Sequence, residues 1–297
     1  MKAILGVDLG GTSQKAEEVL RRLAFPDLHV EAVAGVEAVL PDMSWPSLSA
    51  DHPIALALKQ REEAADEALD GAESRLSVKG IQVTKTRDYG DPARLLTQRA
   101  EESHADLIAA GSERKGRFGS LFLGSVTKGL CIEAKTNVLI GKQEIPAGDS
   151  VTAVFATDLS EYSLKCVDEL VRLAPRGIEK IVVLVAFGID EGIRTYLVPE
   201  DASLAAYTPQ AVEARLRKEA EEVAEKLRSV CAHVETLVVE NDINHSIRDA
   251  MKAHSAELLI LGAQGKNFLK RIALGSTAMH QVINGDDNLL LLRPQVQ

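Results

Sequence analysis

Residues 257–284 read ELLILGAQGKNFLKRIALGSTAMHQVIN, and this stretch decides the fold of the chain. The apolar run at 258–261 has the length of a strand, and its lack of polar alternation is typical of a strand covered on both faces of a parallel sheet. Ser276 is the predicted N-cap of a short helix that includes residues 279–283. This arrangement brings free backbone N–H groups and the positive end of a helix dipole to one place, which favours an anion such as a phosphate.

Three glycines lie in and around the loop of this stretch, and their spacing is uncommon. Gly262-x-x-Gly265 is followed after nine residues by Gly275-Ser276. The pattern is neither the Gly-x4-Gly-Lys-Ser/Thr loop of P-loop proteins nor the Gly-x-Gly-x-x-Gly of dinucleotide-binding folds. Because Gly-x-x-Gly alone is usually just a turn, the prediction of an anion site depends on the whole arrangement.

The composition excludes several classes of function. The chain has 297 residues, of which 45% are apolar, and this is enough for two cores of ordinary size. The net charge of -10 argues against a nucleic-acid partner, which would require clustered Lys and Arg. Three widely spaced cysteines without a Cys-x-x-Cys pair indicate neither a disulfide framework nor a zinc site. The chain opens on a strand pattern and has no apolar run of bilayer length, so we expect a cytoplasmic protein that does not contact membranes.

The chain contains an internal repeat. VDLGGTSQKAEEVLRRLA at 7–24 matches ATDLSEYSLKCVDELVRLA at 156–174. This match pairs Asp8 with Asp158. Further pairs follow in the same order: Gly111 with Gly262, Gly124-Ser125 with Gly275-Ser276, and Asn137 with Asn288. So steady a register over two halves indicates a tandem duplication.

Each half alternates strands with helices, which predicts an α/β protein with a doubly wound parallel sheet in each half. Ligands of such sheets bind beyond the carboxyl ends of the strands, where the two aspartates and the glycine loops lie. We predict domains at 1–142 and 151–297, joined by a short linker. The predicted strands are 3–7, 30–36, 82–86, 107–110, 136–140, 151–156, 181–187, 234–239, 258–261 and 288–292, and the predicted helices are 13–23, 56–76, 92–102, 161–173, 211–230, 246–254 and 279–283.

This repeated plan, with its Gly262-x-x-Gly265 and Gly275-Ser276 spacing, resembles the universal stress protein family over essentially the whole chain. The resemblance implies a five-stranded sheet in the order 3-2-1-4-5 in each half. It also implies that the halves pack through their last strands as an internal pseudo-dimer. Whether two chains associate further as a homodimer is left open. The ligand that it implies is the adenine nucleotide ATP, with Mg²⁺ as a candidate companion ion.

The resemblance also implies which parts of the second half hold the nucleotide. Asp158, which ends the first strand, would contact the adenine and ribose side. Main-chain groups near Ala186, at the end of the second strand, would hold the adenine. The phosphates would lie on the glycine loop and the helix start, at Gly262, Gly265, Gly275, Ser276 and Thr277.

The first half differs in its loop. Arg114 stands where the second half has Gly265, and a long side chain there removes the close backbone approach that glycine permits. An arginine could instead donate charge-assisted hydrogen bonds to a phosphate, and both aspartates could simply cap the helices that follow them. We therefore expect nucleotide in the second half and a degenerate site in the first, at Asp8, Gly111, Arg114, Gly124 and Ser125.

Three functions fit these features. The first is an ATP-binding stress-response regulator with at most slow hydrolysis, because phosphate-binding groups can be recognised but no catalytic base, nucleophile or metal site can. The second is an enzyme of the related adenine-nucleotide α-hydrolase group, although neither half has the Ser-Gly-Gly-x-Asp-Ser type loop of those enzymes. The third is an interaction scaffold without nucleotide. The intact glycine loop of the second half favours the first function.

Overall fold

The computed structural model describes residues 1–36, 52–78, 80–112, 124–188, 208–264 and 274–294. Within these residues the strands are β1 (Lys2–Gly6), β2 (His29–Val36), β3 (Gln82–Tyr89), β4 (Leu107–Gly111), β5 (Asn137–Gly141), β6 (Val151–Ala156), β7 (Ile178–Phe187), β8 (His233–Glu240), β9 (Leu258–Gly262) and β10 (Asn288–Leu292). The helices are α1 (Ser13–Leu23), α2 (Pro53–Ser77), α3 (Pro92–Glu102), α4 (Ser125–Glu133), α5 (Glu161–Leu173), α6 (Pro209–Leu227), α7 (Ile243–Ala253) and α8 (Ser276–Asn284).

The strands form one sheet in the order β3-β2-β1-β4-β5-β10-β9-β6-β7-β8. Within each half the neighbouring strands are parallel, and read outward from the centre the second half repeats the order of the first. The halves join where β5 and β10 pair antiparallel, with Leu139 opposite Leu290. The predicted order 3-2-1-4-5 and the packing through the last strands are therefore confirmed.

Helices cover both faces of the sheet. One core cluster contains buried residues of α1, α2, α5 and α6, and the other contains those of α3, α4, α7 and α8. Successive residues of β1 alternate between them, since Ala3 and Leu5 belong to the first cluster and Ile4 to the second. A strand covered on both faces needs apolar residues on both, which explains the continuous apolar runs in the sequence. None of the helices in the described part of the chain has both the length and the apolar composition of a membrane span.

Local signals in the sequence account for most helix starts. The predicted N-cap Asp91 is confirmed, because its Oδ1 accepts a hydrogen bond from the Arg94 N–H at 2.9 Å. The predicted N-cap Ser276 is wrong: Gly275 is the N-cap of α8 and Ser276 is its first helical residue. The reason is that the Gly275 carbonyl already accepts from the Met279 N–H at 2.8 Å, so the helix begins earlier than the apolar pattern indicates. Helix α7 also begins earlier than predicted, because Asp242 caps it.

Candidate functional site

A cavity of about 330 Å³ lies at the carboxyl ends of β6, β7 and β9. This volume is at the lower end of the range for small-molecule sites, about 300–1,000 Å³. Of the residues predicted to hold nucleotide, Gly265 lies outside the described residues. The others all line this cavity: Asp158, Ala186, Gly262, Gly275, Ser276 and Thr277.

Helix α8 begins at the wall of this cavity. The Gly275 N–H donates to the carbonyl of Ala263 at 2.8 Å, and Gly275 has an extended backbone with φ −62° and ψ 156°. The N–H groups that follow, those of Ser276 and Thr277, are in the first turn and have no acceptor within the helix. Within the described residues no side chain caps them. The cavity therefore has hydrogen-bond donors at the positive end of a helix dipole.

The start of α8 differs from most other helix starts in the described part of the chain. Helices α1, α2, α3, α5, α6 and α7 each begin with a side-chain acceptor, from Asp8, His52, Asp91, Ser160, Thr208 and Asp242 respectively. Among the described residues no side chain caps α4 or α8. These are the equivalent helices of the two halves, and they begin where the sequence predicts the phosphate sites.

Asp158 is not used to cap the helix that follows it. Its Oδ1 accepts from the Ser160 N–H at 3.0 Å, and Ser160 is the residue that caps α5, through its Oγ and the Ser163 N–H at 3.3 Å. Beside it, the hydroxyls of Thr157 and Ser163 form a buried hydrogen bond of 2.6 Å. Ser160, and not Asp158, is therefore the N-cap of α5.

Asp8, the equivalent residue of the first half, has a different role. Its Oδ1 accepts from the Ser13 N–H at 2.7 Å and from the Thr12 hydroxyl at 2.9 Å, and its Oδ2 accepts from the Thr12 N–H at 3.1 Å. Thr12 is the N-cap residue of α1 and Ser13 its first helical residue, so the Asp8 carboxylate provides the acceptor for the amides at the start of that helix. The two aspartates that the repeat pairs are thus not equivalent in their hydrogen bonds.

The first half has a cavity at the same place in its sheet, with a volume of about 460 Å³. Arg114 lies outside the described residues, so the predicted difference between the two loops stays a prediction. Much of the lining is apolar and includes Leu9, Val36 and Leu95. Four of the five residues predicted for a degenerate site line it: Asp8, Gly111, Gly124 and Ser125.

Two of the predicted glycines have packing roles. A Cβ on Gly111 would lie 2.2 Å from the carbonyl oxygen of Thr12, so β4 can approach the start of α1 only without a side chain there. A Cβ on Gly262 would lie 3.0 Å from the Sγ of Cys166 in α5. At Gly124, by contrast, a Cβ would meet no described atom within 4 Å. The close approach at Gly111 and Gly262 is therefore made to the first helix of each half.

The second-half cavity has little charge of its own. Asp158 is the one acidic or basic side chain among its described lining residues. Burial raises the pKa of Cys166 and of the Tyr162 hydroxyl, which lie against Gly262, so both stay neutral. Within the described residues, no group of three or more His, Cys, Asp or Glu side chains is placed to hold a metal ion.

Sequence reasoning missed several residues of this cavity. Ile243 follows the Asp242 cap, and the equivalent Pro92 follows Asp91, so the start of the third helix of each half contributes to its cavity. The register of the repeat, together with the rule that ligands bind at the carboxyl ends of the strands, could have indicated the start of this helix. Ala156 and Leu261 line the cavity as the last residues of predicted strands, and no sequence signal indicated the rest: Thr157, Ser163, Gln264 and Ala278.

Comparisons with known proteins agree with this architecture. The model of the Universal stress protein family matches residues 1–142 and 152–284. The chain is similar to a universal stress protein from Archaeoglobus fulgidus, with a TM-score of 0.64 and 19% identity over 99% of this chain and 98% of that one. It is also similar to a functionally unknown protein from Pseudomonas aeruginosa, with a TM-score of 0.62 and 15% identity over 99% and 92% of the two chains. At these identities the similarity shows the fold alone.

Two further comparisons add nothing about ligands. A universal stress protein family protein from Arabidopsis thaliana, solved with AMP bound, covers 47% of this chain and 90% of its own, with 13% identity and a TM-score of 0.34. So weak a likeness carries nothing over to this chain. No protein with a curated description matches it.

Proposed function

The chain belongs to the universal stress protein family, and from that premise we propose that its second half binds an adenine nucleotide, ATP, as part of a stress-response function. The phosphates lie at the start of α8 and the nucleoside lies beside Asp158 and Ala186. The observation that supports this most directly is the uncapped first turn of α8 at the cavity wall. Backbone N–H groups at the positive end of a helix are suited to a phosphate.

The proposal assigns the nucleotide to the second half because the two aspartates differ in what they hold. Asp158 lines the cavity while Ser160 caps the adjacent helix, so a ribose hydroxyl at the Asp158 carboxylate would leave the cap of α5 in place. Asp8 accepts from two backbone amides and a hydroxyl at the start of α1. A ribose at Asp8 would disturb the bonds that hold the start of that helix.

Binding rather than turnover is the proposed role. Among the described lining residues, Asp158 is the one ionisable side chain placed in the cavity, and it lies at the nucleoside end. Catalysed hydrolysis needs a group that orients or deprotonates water near the γ-phosphate. Mg²⁺ bound to the triphosphate would neutralise part of the phosphate charge. We therefore propose a nucleotide-dependent regulator whose ATP hydrolysis is at most slow.

A proline substitution at Ser276 tests the proposal sharply. Proline is favoured at the first helical position and lacks an N–H, and Gly275 already has the extended backbone that a residue before proline requires. Ser276→Pro should therefore keep the fold and lower ATP affinity in calorimetric titration. We expect a loss of about tenfold or more, because a hydrogen bond to a charged group contributes about 1.5–3 kcal/mol.

Two matched variants serve as controls. Ser276→Ala removes the hydroxyl and keeps the N–H, so its ATP affinity should stay close to that of the wild type. Ser125→Pro makes the same backbone change at the start of α4, where Gly124 has φ −56° and ψ 145°, and it should leave the binding unchanged. A loss with Ser125→Pro but not with Ser276→Pro would place the nucleotide in the first half. Wild-type protein that neither co-purifies with ATP nor binds it would leave the interaction scaffold as the function.

A further inference from the structure

We infer that Lys142, a residue of the first half, is a positioning residue for the nucleotide site of the second half. The inference rests on the proposed function, because it concerns the helix that would hold the phosphates. Lys142 follows β5 directly and is 6% exposed. Its ammonium group contacts the far end of α8, opposite the end at which the phosphates would lie.

The contacts between Lys142 and α8 form a C-terminal cap. Lys142 Nζ donates to the carbonyls of Gln281 at 2.6 Å, Val282 at 3.1 Å and Gly285 at 2.8 Å. The last carbonyls of a helix have no donor within it, and an ammonium group supplies three N–H donors. The backbone of Lys142 is itself held, because its N–H donates to Asn288 Oδ1 at 2.8 Å and its carbonyl accepts from Lys15 Nζ at 3.2 Å.

This cap connects the two ends of one short helix. Helix α8 has nine residues, which span about 13 Å. It carries no basic residue in its own last turn, so the cation at the negative end of its dipole comes from the other half. Without Lys142 the Val282 and Gly285 carbonyls would lose a buried donor, and the Gln281 carbonyl would keep the Gly285 N–H at 3.1 Å. The helix end would then shift or fray to reach water. The first-turn amides of Ser276 and Thr277 would then move relative to Asp158.

The equivalent contact exists in the reverse direction. Arg293 follows β10, is 8% exposed, and donates through Nη2 to the Cys131 carbonyl at the end of α4. Helix α4 also lacks a basic residue in its last turn. Each half therefore supplies a buried cation to the last helix of the other. This reciprocity provides a matched variant, because Arg293→Met removes a buried cation from the same interface without touching α8.

The test compares ATP with adenosine in the full-length protein. Lys142→Met should lower ATP affinity about tenfold or more and leave adenosine affinity nearly unchanged, because adenosine has no phosphate to place on α8. Lys142→Arg should restore most of the ATP affinity, since it keeps a cation with N–H donors. Arg293→Met should bind ATP like the wild type. Urea unfolding of every variant establishes that titrations are made on folded protein, and Lys142→Gln replaces Lys142→Met if the latter does not fold.

Each outcome decides between the inference and the proposed function. If the wild type binds no ATP, the proposed function fails. If the wild type binds ATP and the Lys142 variant binds it equally well, the inference is wrong and the function stands. Equal losses for ATP and adenosine, or an equal loss with Arg293→Met, would show a general loosening of the interface and would also overturn the inference.

Discussion

Asn137 and Asn288 each begin a central strand and each accept a hydrogen bond from the backbone of the opposite half. Asn288 Oδ1 accepts from the Lys142 N–H at 2.8 Å and the Gln143 N–H at 3.1 Å, and Asn137 Oδ1 accepts from the Arg293 N–H at 2.8 Å. Both side chains are buried, at 2% and 0% exposure. Because β5 and β10 run antiparallel, the start of each strand meets the end of the other. The pair that the repeat aligns therefore holds the two halves together.

Removing one member of this pair should destabilise the whole protein. Asn288→Ala leaves two backbone N–H groups near the centre of the sheet without their acceptor, and an unsatisfied buried group costs about 1–3 kcal/mol. We expect the free energy of unfolding in urea to fall by about this amount. Asn284→Ala, the same change at an exposed position of α8, should stay within about 0.5 kcal/mol of the wild type. Equal unfolding midpoints for the two variants would contradict the prediction.

The same substitution should lower stability at Asp8 and ATP affinity at Asp158. Asp8→Ala removes the acceptor of the first amides of α1, and loss of a helix cap costs about 0.5–2 kcal/mol. Asp158→Ala leaves the Ser160 cap of α5 in place, so its main effect should be on ATP affinity, by about tenfold. Urea unfolding and calorimetric titration of both variants measure the two effects. A larger loss of ATP affinity with Asp8→Ala would reverse the assignment of the halves.

Two glycines of the first-half cavity, Gly111 and Gly124, should differ in whether they tolerate a side chain. Gly111→Ala would place a Cβ 2.2 Å from the Thr12 carbonyl oxygen, and the backbone shift needed to relieve this contact should cost about 1–3 kcal/mol. Gly124→Ala, whose Cβ would meet no described atom within 4 Å, should leave the free energy of unfolding nearly unchanged. Thermal unfolding of both variants provides the measurement. A Gly111→Ala protein as stable as the wild type would show that β4 and α1 are further apart than described.

The three cysteines should be unreactive in the folded protein. Cys131, Cys166 and Cys231 are free and buried. Burial raises the pKa of Cys131 to about 12 and raises the pKa of the other two thiols. The thiolate is the reactive form, so at pH 8 iodoacetamide should label none of them until urea unfolds the chain. Mass spectrometry of labelled protein counts the modified thiols, and rapid labelling of the native protein would contradict the burial of whichever cysteine reacts.

Local sequence determined the elements and the architecture of this protein. The bounds 13–23 were predicted correctly from apolar spacing at three and four residues, which is the period of a helix and depends on near neighbours only. The bounds 161–173 were predicted correctly from the repeat. The register of the repeat predicted two equivalent sheets. Ligands of parallel sheets bind at the carboxyl ends of the strands, so the same register also predicted which residues meet there.

The tertiary structure decided what the repeat could not. Sequence pairs Asp8 with Asp158, yet only the folded chain shows that Asp8 accepts from the first amides of α1 whereas Ser160 caps α5. The cap that Lys142 places on α8 joins residues 139 positions apart. The Lys142 contact leaves no local signal, because a hydrogen bond between distant segments depends on where the sheet carries their backbones and not on the spacing of residues along the chain. The bonds of Asp8 span only four and five residues, but they depend on the turn that the chain makes before α1, which the aligned aspartates do not reveal.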